Sequence, residues 1–322
     1  MRNHGRRWPL FAVGITLLSC SPHLSPPVPG DLAARPVDLQ GHRGARGRRP
    51  ENTLPAFQFA IESGVTTLEL DVTLPADHQL ILHHDLTTNP QLCLSPDHAP
   101  VRSRRVDEMT VAELKTLDCG TLTHPDFPQQ QAAPGAQLPT LQEFFAFIER
   151  YESSSSSANR VRFNVELKIA KNATDHQSDR VATIAVDAIV AAKVAERTTI
   201  QSFHRAVLPK IKALHSQIQT AALYRSGYWS GFRTPGNDNA LANKLLDETV
   251  ALGVDILSPN HRSVNRGFVR EAHRRDLKII PWTVNSAKRM RELLQMGVDG
   301  IISDYPELLV EIHAAHSQSA SN

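Results

Sequence analysis

The chain has 322 residues, 41% of them apolar, and a formal charge of +2 from 35 basic and 33 acidic side chains. That length suits one large α/β domain or two small ones, and the even charge lacks the clustered basic excess of a nucleic-acid surface. Of three cysteines, one sits in the leader described next, and the two that remain are too few for a zinc site.

Arg2, Arg6 and Arg7 precede an apolar run at 8–18 that is too short to span a bilayer and reads as a secretory leader. Leu17-Leu18-Ser19-Cys20 resembles a bacterial lipobox. Residues 1–20 are therefore expected to be a lipoprotein signal peptide, with Cys20 lipidated and 21–36 a proline-bearing tether. An ordinary signal peptide with an incidental cysteine is the alternative. Loss of the three arginines leaves 32 basic against 33 acidic side chains, a near-neutral mature protein. The expected location is the bacterial cell envelope, with the chain held to a membrane by its lipid anchor and facing the periplasm. In that oxidising compartment Cys93 and Cys119 are candidates for a disulfide, two buried thiols being the alternative.

From residue 37, strand-like and helix-like segments alternate. Strand signals lie at 37–42, 67–72, 161–168, 199–203, 219–224, 255–259, 279–284 and 300–304. Helical patterns lie at 55–63, 141–151, 179–193, 206–215, 240–252, 266–275, 287–296 and 306–313, and Gly64, Gly253 and Gly297 read as stop signals. Eight strand–helix pairs predict an α/β fold, a closed (β/α)8 TIM barrel over 37–316 followed by a tail at 317–322. An open doubly wound sheet is the alternative, but the chain shows no phosphate-binding glycine fingerprint. The run QLILHHD at 79–85 reads as a β-hairpin partner of the second strand. A loop-rich insertion over the barrel mouth follows at 86–139, with one short helix at 111–117, and the serine run within 153–160 reads as a flexible connection. No internal repeat is apparent beyond the alternation itself.

A barrel collects its chemistry at the C-terminal ends of its strands. Those ends carry His42 and Arg43; Glu69 and Asp71; Glu166 and Lys168; Ser202 and His204; Trp282 and Asn285; and Asp304. Alternation points Glu69 and Asp71 to one face around Leu70, and Glu166 and Lys168 to one face around Leu167. Three carboxylates without cysteine suit a hard divalent cation with oxygen ligands, Ca2+ or Mg2+. A salt-bridge cluster neutralised by Lys168 and Arg43 is the alternative, but two bases do not satisfy three acids. Only one of His83 and His84 can face the site, and parity does not choose between them. Two imidazoles, an arginine fork and a metal suit phosphoryl chemistry, with one ring taking a proton and the other giving one.

These residues resemble the glycerophosphodiester phosphodiesterase family. The similar pieces are HRGARGRRPENTLPAF, LELDVTLPADHQLILHHD, AELKTLDCG, LPTLQEFF, NVELK, QSF, WTVN and GVDGIISDYP, in order over about 38–308. The resemblance implies a TIM barrel, one divalent cation, and hydrolysis of a small-molecule glycerophosphodiester to sn-glycerol 3-phosphate and an alcohol. It implies that His42 and His84 are the paired catalytic histidines, the latter chosen by its His-Asp pair. Glu69, Asp71 and Glu166 match metal ligands, Arg43 and Lys168 match phosphate contacts, and Trp282 matches an aromatic near the glycerol pocket. In the Pro-Glu-Asn-Thr motif, Asn52 or Thr53 reads as a helix N-cap, and Glu51 as a residue behind the site. One departure stands out: the family's usual hairpin glycine is replaced in Asp77-His78, where a positive φ is less comfortable. Two other readings compete: a lipid-cleaving phospholipase or sphingomyelinase-D-like enzyme on the same barrel, and a non-catalytic glycerophosphodiester-binding lipoprotein. The first calls for an apolar mouth where this insertion is polar; the second predicts a missing histidine or acid, and none is missing.

Overall fold

Among the described residues nine strands form one sheet: β1 (Asp38–Gly41), β2 (Thr67–Thr73), β3 (Ile81–Leu82), β4 (Arg162–Leu167), β5 (Thr198–Ser202), β6 (Gln219–Tyr224), β7 (Ile256–Pro259), β8 (Lys278–Ile279) and β9 (Gly300–Ser303). The computed structural model describes residues 1, 36–154, 160–225 and 238–320. Of the expected leader and tether only Met1 and Pro36 are among them, so Cys20 lies outside the described residues, as does 155–159 of the serine-rich connection.

Eight strands run parallel in the order β8-β7-β6-β5-β4-β2-β1-β9, and β3 pairs antiparallel with β2. Backbone bonds from Asp299 N to Ile279 O (2.9 Å), Ile302 N to Pro281 O (3.0 Å) and Val284 N to Ile302 O (2.9 Å) join the outer pair and close the barrel. All seven residues of β2 are buried, as expected for a strand sandwiched between barrel interior and helices. Leu68, Leu70 and Val72 join the main apolar core between barrel and helices, while Thr67, Glu69 and Asp71 alternate to the interior.

The helices are α1 (Leu54–Glu62), α2 (Val111–Leu114), α3 (Leu141–Ser154), α4 (Asp175–Ala191), α5 (Leu208–Leu214), α6 (Asp238–Ala251), α7 (Arg266–His273), α8 (Ala287–Met296) and α9 (Pro306–Ala320). α4 begins four residues before the periodicity suggests, because Thr174 and Gln177 build a capping box there. α9 continues well past 313, into the segment expected to be a tail, because 307–320 holds no proline or glycine. The strand expected at 279–284 shortens to two residues, since Pro281 has no N–H to donate. Gly64, Gly253 and Gly297 do stop their helices, at φ of 89°, 64° and 82°.

Those glycines also mark a repeat that the sequence reading missed. Each is followed by valine and then Thr66, Asp255 or Asp299. The third residue's side chain accepts the N–H of the preceding strand: Leu39 N to Thr66 Oγ1 (2.8 Å), Thr220 N to Asp255 Oδ2 (2.7 Å), Ile279 N to Asp299 Oδ2 (2.7 Å). Its own N–H donates back to Leu39, Thr220 and Ile279. Each two-way clamp fixes the register of one parallel pair at the barrel's lower rim.

The hairpin is formed as expected, with Val72 opposite Leu82 and Thr73 opposite Ile81. In its turn His78 takes a φ of 63°, a left-handed backbone at the position of the missing glycine. Segment 86–139 carries a small core of its own around Cys93, Val101, Met109, Leu114 and Leu138, and Cys93 and Cys119 are disulfide-bonded within it.

Candidate active site

Inside the barrel β2 and β4 pair in register, which sets Asp71 opposite Glu166. Together with Glu69 on the same interior face, these residues bring carboxylate oxygens within 4.8 Å of one another, all buried. Burial, then repulsion from Asp71 and Glu166, push the Glu69 carboxyl well above the usual range. Burial would do the same to Asp71, but Lys168 and then Arg43 outweigh it and hold that carboxylate low. Lys168 donates to Glu166 Oε1 at 2.6 Å and lies 3.4 Å from Asp71 Oδ1. Burial lowers the Lys168 pKa less than Asp71 and Glu166 raise it, so it stays charged.

The acids are anchored so as to leave some oxygens uncommitted. Glu69 accepts from Gln201 Nε2 (3.0 Å) through one oxygen and from Arg43 N (2.8 Å) through the other. Asp71 Oδ2 is bound by Asn52, while its buried Oδ1 has no hydrogen-bond partner among the described residues. A buried carboxylate oxygen with an ion pair to Lys168 but no hydrogen bond, beside two further carboxylates, belongs to the donor set of a hard divalent cation, so a metal fits these residues.

The loop after β1 turns sharply enough to place His42 and Arg43 beside that cluster. Arg43 has a φ of 50° and Gly44 of 83°, and at Gly44 a Cβ would meet the Ala56 backbone at 2.7 Å. Arg43 Nη1 donates to Glu51 Oε1 (2.6 Å) and its Nε lies 3.2 Å from Asp71 Oδ2. Burial would lower the Arg43 pKa, but Glu51 and Asp71 keep it above its ordinary value. Glu51 is in turn paired with Arg43 and Arg46, which hold its buried carboxylate ionised against desolvation. Asn52 is not a cap. Its φ is 56°, and its amide clasps Asp71 in both directions, Nδ2 to Oδ2 (3.0 Å) and Asp71 N to Oδ1 (3.1 Å). Thr53 is the N-cap residue of α1, but its hydroxyl donates to Pro50 O instead of accepting from the helix.

The two imidazoles share one architecture. His42 Nδ1 meets Asp304 Oδ1 at 2.6 Å, and Asn285 Nδ2 donates to Asp304 Oδ2 at 2.6 Å. His84 Nδ1 meets Asp85 Oδ1 at 2.7 Å, and Asn89 Nδ2 donates to Asp85 Oδ2 at 2.9 Å. The hydrogen bond from His84 lowers the Asp85 pKa, and the neighbouring His42 lowers that of Asp304 against its burial. An ionised carboxylate accepts only, so each ring carries its hydrogen on Nδ1 and leaves Nε2 as the free acceptor on the side away from its carboxylate. His42 Nε2 lies 4.0 Å from Glu69 Oε2, and His84 is close enough for its charge to act on Asp71.

His83 faces the other way, buried, with its Nε2 on Thr87 O (3.1 Å). Trp282 stands beyond the end of β8, with its indole N–H on Ser258 O (2.9 Å) and its ring edge-on to Phe203 (5.4 Å). Sequence reasoning named Asp304 and Asn285 as strand-end residues without assigning a role, quoted Gln201 only within the QSF piece, and passed over Asn89. An Asn or Gln carries no signal of its own, and only the carboxylate it touches shows its use.

The profile of the glycerophosphoryl diester phosphodiesterase family matches residues 42–308. Glycerophosphodiester phosphodiesterases of Bacillus altitudinis and Caldanaerobacter subterraneus are 28% identical over 273 residues and 27% over 271. Each alignment covers 84% of this chain, with 96% of the first relative and 95% of the second. Among solved structures, a Silicibacter pomeroyi protein assigned to the same family superposes with a TM-score of 0.78 at 27% identity, over 88% of this chain and 95% of that one. An Oleispira antarctica phosphodiesterase in complex with the product sn-glycerol-3-phosphate superposes with a TM-score of 0.65 at 22% identity, over 87% and 97%.

Proposed function

The chain belongs to the glycerophosphoryl diester phosphodiesterase family, and from that membership we propose that it hydrolyses a glycerophosphodiester to sn-glycerol 3-phosphate and an alcohol by two-histidine catalysis at a divalent cation. The observation that carries the reading is the pair of Asn–Asp–His arrangements at the rim of one buried carboxylate cluster.

Glu69, Asp71 and Glu166 would hold the ion, Ca2+ or Mg2+, whose charge would bind the phosphate and offset negative charge that grows in the transition state. Arg43 adds a planar donor pair that matches two phosphate oxygens, and Lys168 adds a point charge from the end of β4. One imidazole Nε2 accepts the proton of the attacking group, either water or the glycerol 2-hydroxyl with water opening the cyclic phosphate afterwards, and the other protonates the departing alcohol oxygen. Asp85 and Asp304 keep both rings in the required tautomer and stabilise whichever becomes imidazolium. Trp282 and Phe203 supply an apolar wall for the carbon skeleton of the glycerol unit.

The same proposal includes export. The lipobox-like Leu17-Leu18-Ser19-Cys20 and the Cys93–Cys119 disulfide both suit a lipoprotein in the periplasm. Fractionation of cells expressing the chain with and without Cys20→Ala reads this part, and an unchanged soluble location for both proteins would remove it.

The decisive assay couples release of glycerol 3-phosphate from glycerophosphocholine to its dehydrogenase, before and after EDTA and with Ca2+ or Mg2+ restored. Activity indifferent to the chelator would discard the metal. Full activity in His42→Ala or His84→Ala would discard the acid–base pair.

A further inference from the structure

The loop that carries Arg43 is held in a shape it would not keep alone. Three of its residues, Arg43, Gly44 and Asn52, have left-handed backbone, at φ of 50°, 83° and 56°. Such a conformation persists where the surroundings over-determine it. Part of the restraint is internal or comes from the strands: Asn52 N donates to Arg43 O (3.1 Å), Gly44 N to Glu69 O (3.1 Å) and Gly47 N to Asp304 O (2.9 Å). The rest comes from segment 86–139.

We propose that Gln130 of that segment is a positioning residue for Arg43, and so sets how firmly the phosphate of the substrate is held. The inference deepens the function proposed above and rests on it. Gln130 Nε2 donates to both Arg46 O (2.7 Å) and Arg49 O (3.1 Å), and the next residue donates from Gln131 N to Arg48 O (2.9 Å). Two consecutive residues thus hold three carbonyls on the outer side of the loop. Gln130 is itself fixed, since its Oε1 accepts from His124 N (2.7 Å) and its side chain is buried. A second line of contact runs through side chains. The Phe127 ring lies 4.9 Å under the Arg46 guanidinium, Arg46 is paired with Glu51, and Glu51 accepts from Arg43 Nη1 at 2.6 Å. Arg43 then reaches Asp71 at 3.2 Å. From Phe127 and Gln130 to a carboxylate of the cluster, every link is a packed ring, a charge pair or a backbone hydrogen bond.

Gln130→Met keeps the length of the side chain and removes both donations, together with the acceptor for His124 N. With glycerophosphocholine and a saturating divalent ion, KM and the inhibition constant of inorganic phosphate are expected to rise together by about tenfold, the part of three lost hydrogen bonds that reaches Arg43. kcat should stay within about threefold, the pattern of lost uniform binding. A merely structural role would lower the melting temperature and the active fraction and leave both constants alone, which overturns the proposal. The double variant with Arg43→Lys adds a readout that packing does not mimic. Gln130 acts through Arg43, so the phosphate inhibition constant of the pair should match that of Arg43→Lys alone, and multiplied effects overturn the proposal. Should Gln130→Met fail to fold, Gln130→Glu keeps the acceptor for His124 N and removes both donations to the loop carbonyls, and should raise the same two constants by about tenfold; unchanged constants there overturn it equally. A wild type that hydrolyses no glycerophosphodiester would sink the proposed function instead. Calorimetric binding of inorganic phosphate to wild type and Gln130→Met would then still decide whether Gln130 governs Arg43.

Discussion

Asp304→Asn is the substitution that tests the acid–base arrangement most sharply. Asp304 is buried and accepts on both oxygens, from His42 Nδ1 at 2.6 Å and from Asn285 Nδ2 at 2.6 Å. An asparagine fills the same space but has one acceptor and one donor. Asn285 already offers a donor, so the new oxygen faces it, and the new amide N–H faces His42 Nδ1. The imidazole then has to accept on Nδ1 and carry its hydrogen on Nε2, the wrong tautomer for a base. The charge is lost as well. A carboxylate at that distance from an imidazolium contributes up to about 6 kcal/mol at an effective dielectric near 20, of which the amide dipole restores a part. About 4 kcal/mol of transition-state stabilisation remains at stake, or roughly a thousandfold in kcat/KM. The coupled glycerol 3-phosphate assay reads this, with circular dichroism and the melting temperature as controls for folding. A folded Asp304→Asn protein within tenfold of wild type would refute the role of the His42–Asp304 pair.

Three further outcomes follow from single features. Ca2+ or Mg2+ at about a hundred times its dissociation constant should add about 2.7 kcal/mol to the folded state, read as a rise of several degrees in the melting temperature. Asp71→Asn should abolish that rise, and an equal rise in the variant would show the ion binding elsewhere. His78 holds a φ of 63° on an exposed turn, so His78→Gly should stabilise the protein by about 0.5–1 kcal/mol; urea unfolding that shows a loss instead would mean the His78 side chain makes a contact worth more than the strain. Burial, with Arg289 and Arg262 nearby, lowers the His261 pKa to about 4. The unfolded chain takes up that proton near pH 6.5. Stability from this group is therefore complete above about 6.5 and lost as the pH falls toward 4, to the extent of about 1–2 kcal/mol after screening at this half-buried position. Denaturant midpoints at pH 7 and 5 should converge less in wild type than in His261→Gln, and parallel losses in the two proteins would refute the assignment.

The barrel was legible because its signals are local. Strand alternation orders Glu69, Leu70 and Asp71 without any knowledge of the fold, and Gly64, Gly253 and Gly297 announce helix ends through their own backbone freedom. Boundaries slipped where a side chain or a missing N–H decided them, at Thr174 and Gln177 before α4 and at Pro281 after β8. Asn52 was misread for a related reason. In sequence, an Asn beside a Pro-Glu pair just before a helix is a cap, yet its amide is turned inward by an unusual φ to clasp Asp71.

The order of chemical groups along this chain is a property of its sequence: two histidines, three carboxylates, an arginine and a lysine, each at a strand end, with parity assigning most of them to one face. The partnerships belong to the tertiary structure. His42 and Asp304 are 262 residues apart and meet because β1 and β9 pair when the barrel closes. Gln130 and Arg46, 84 residues apart, meet because segment 86–139 docks on the loop after β1. Local rules act over a few residues and can direct a side chain inward. Which carboxylate steadies which imidazole depends on ring closure across the whole domain, and no short stretch of the chain encodes that distance.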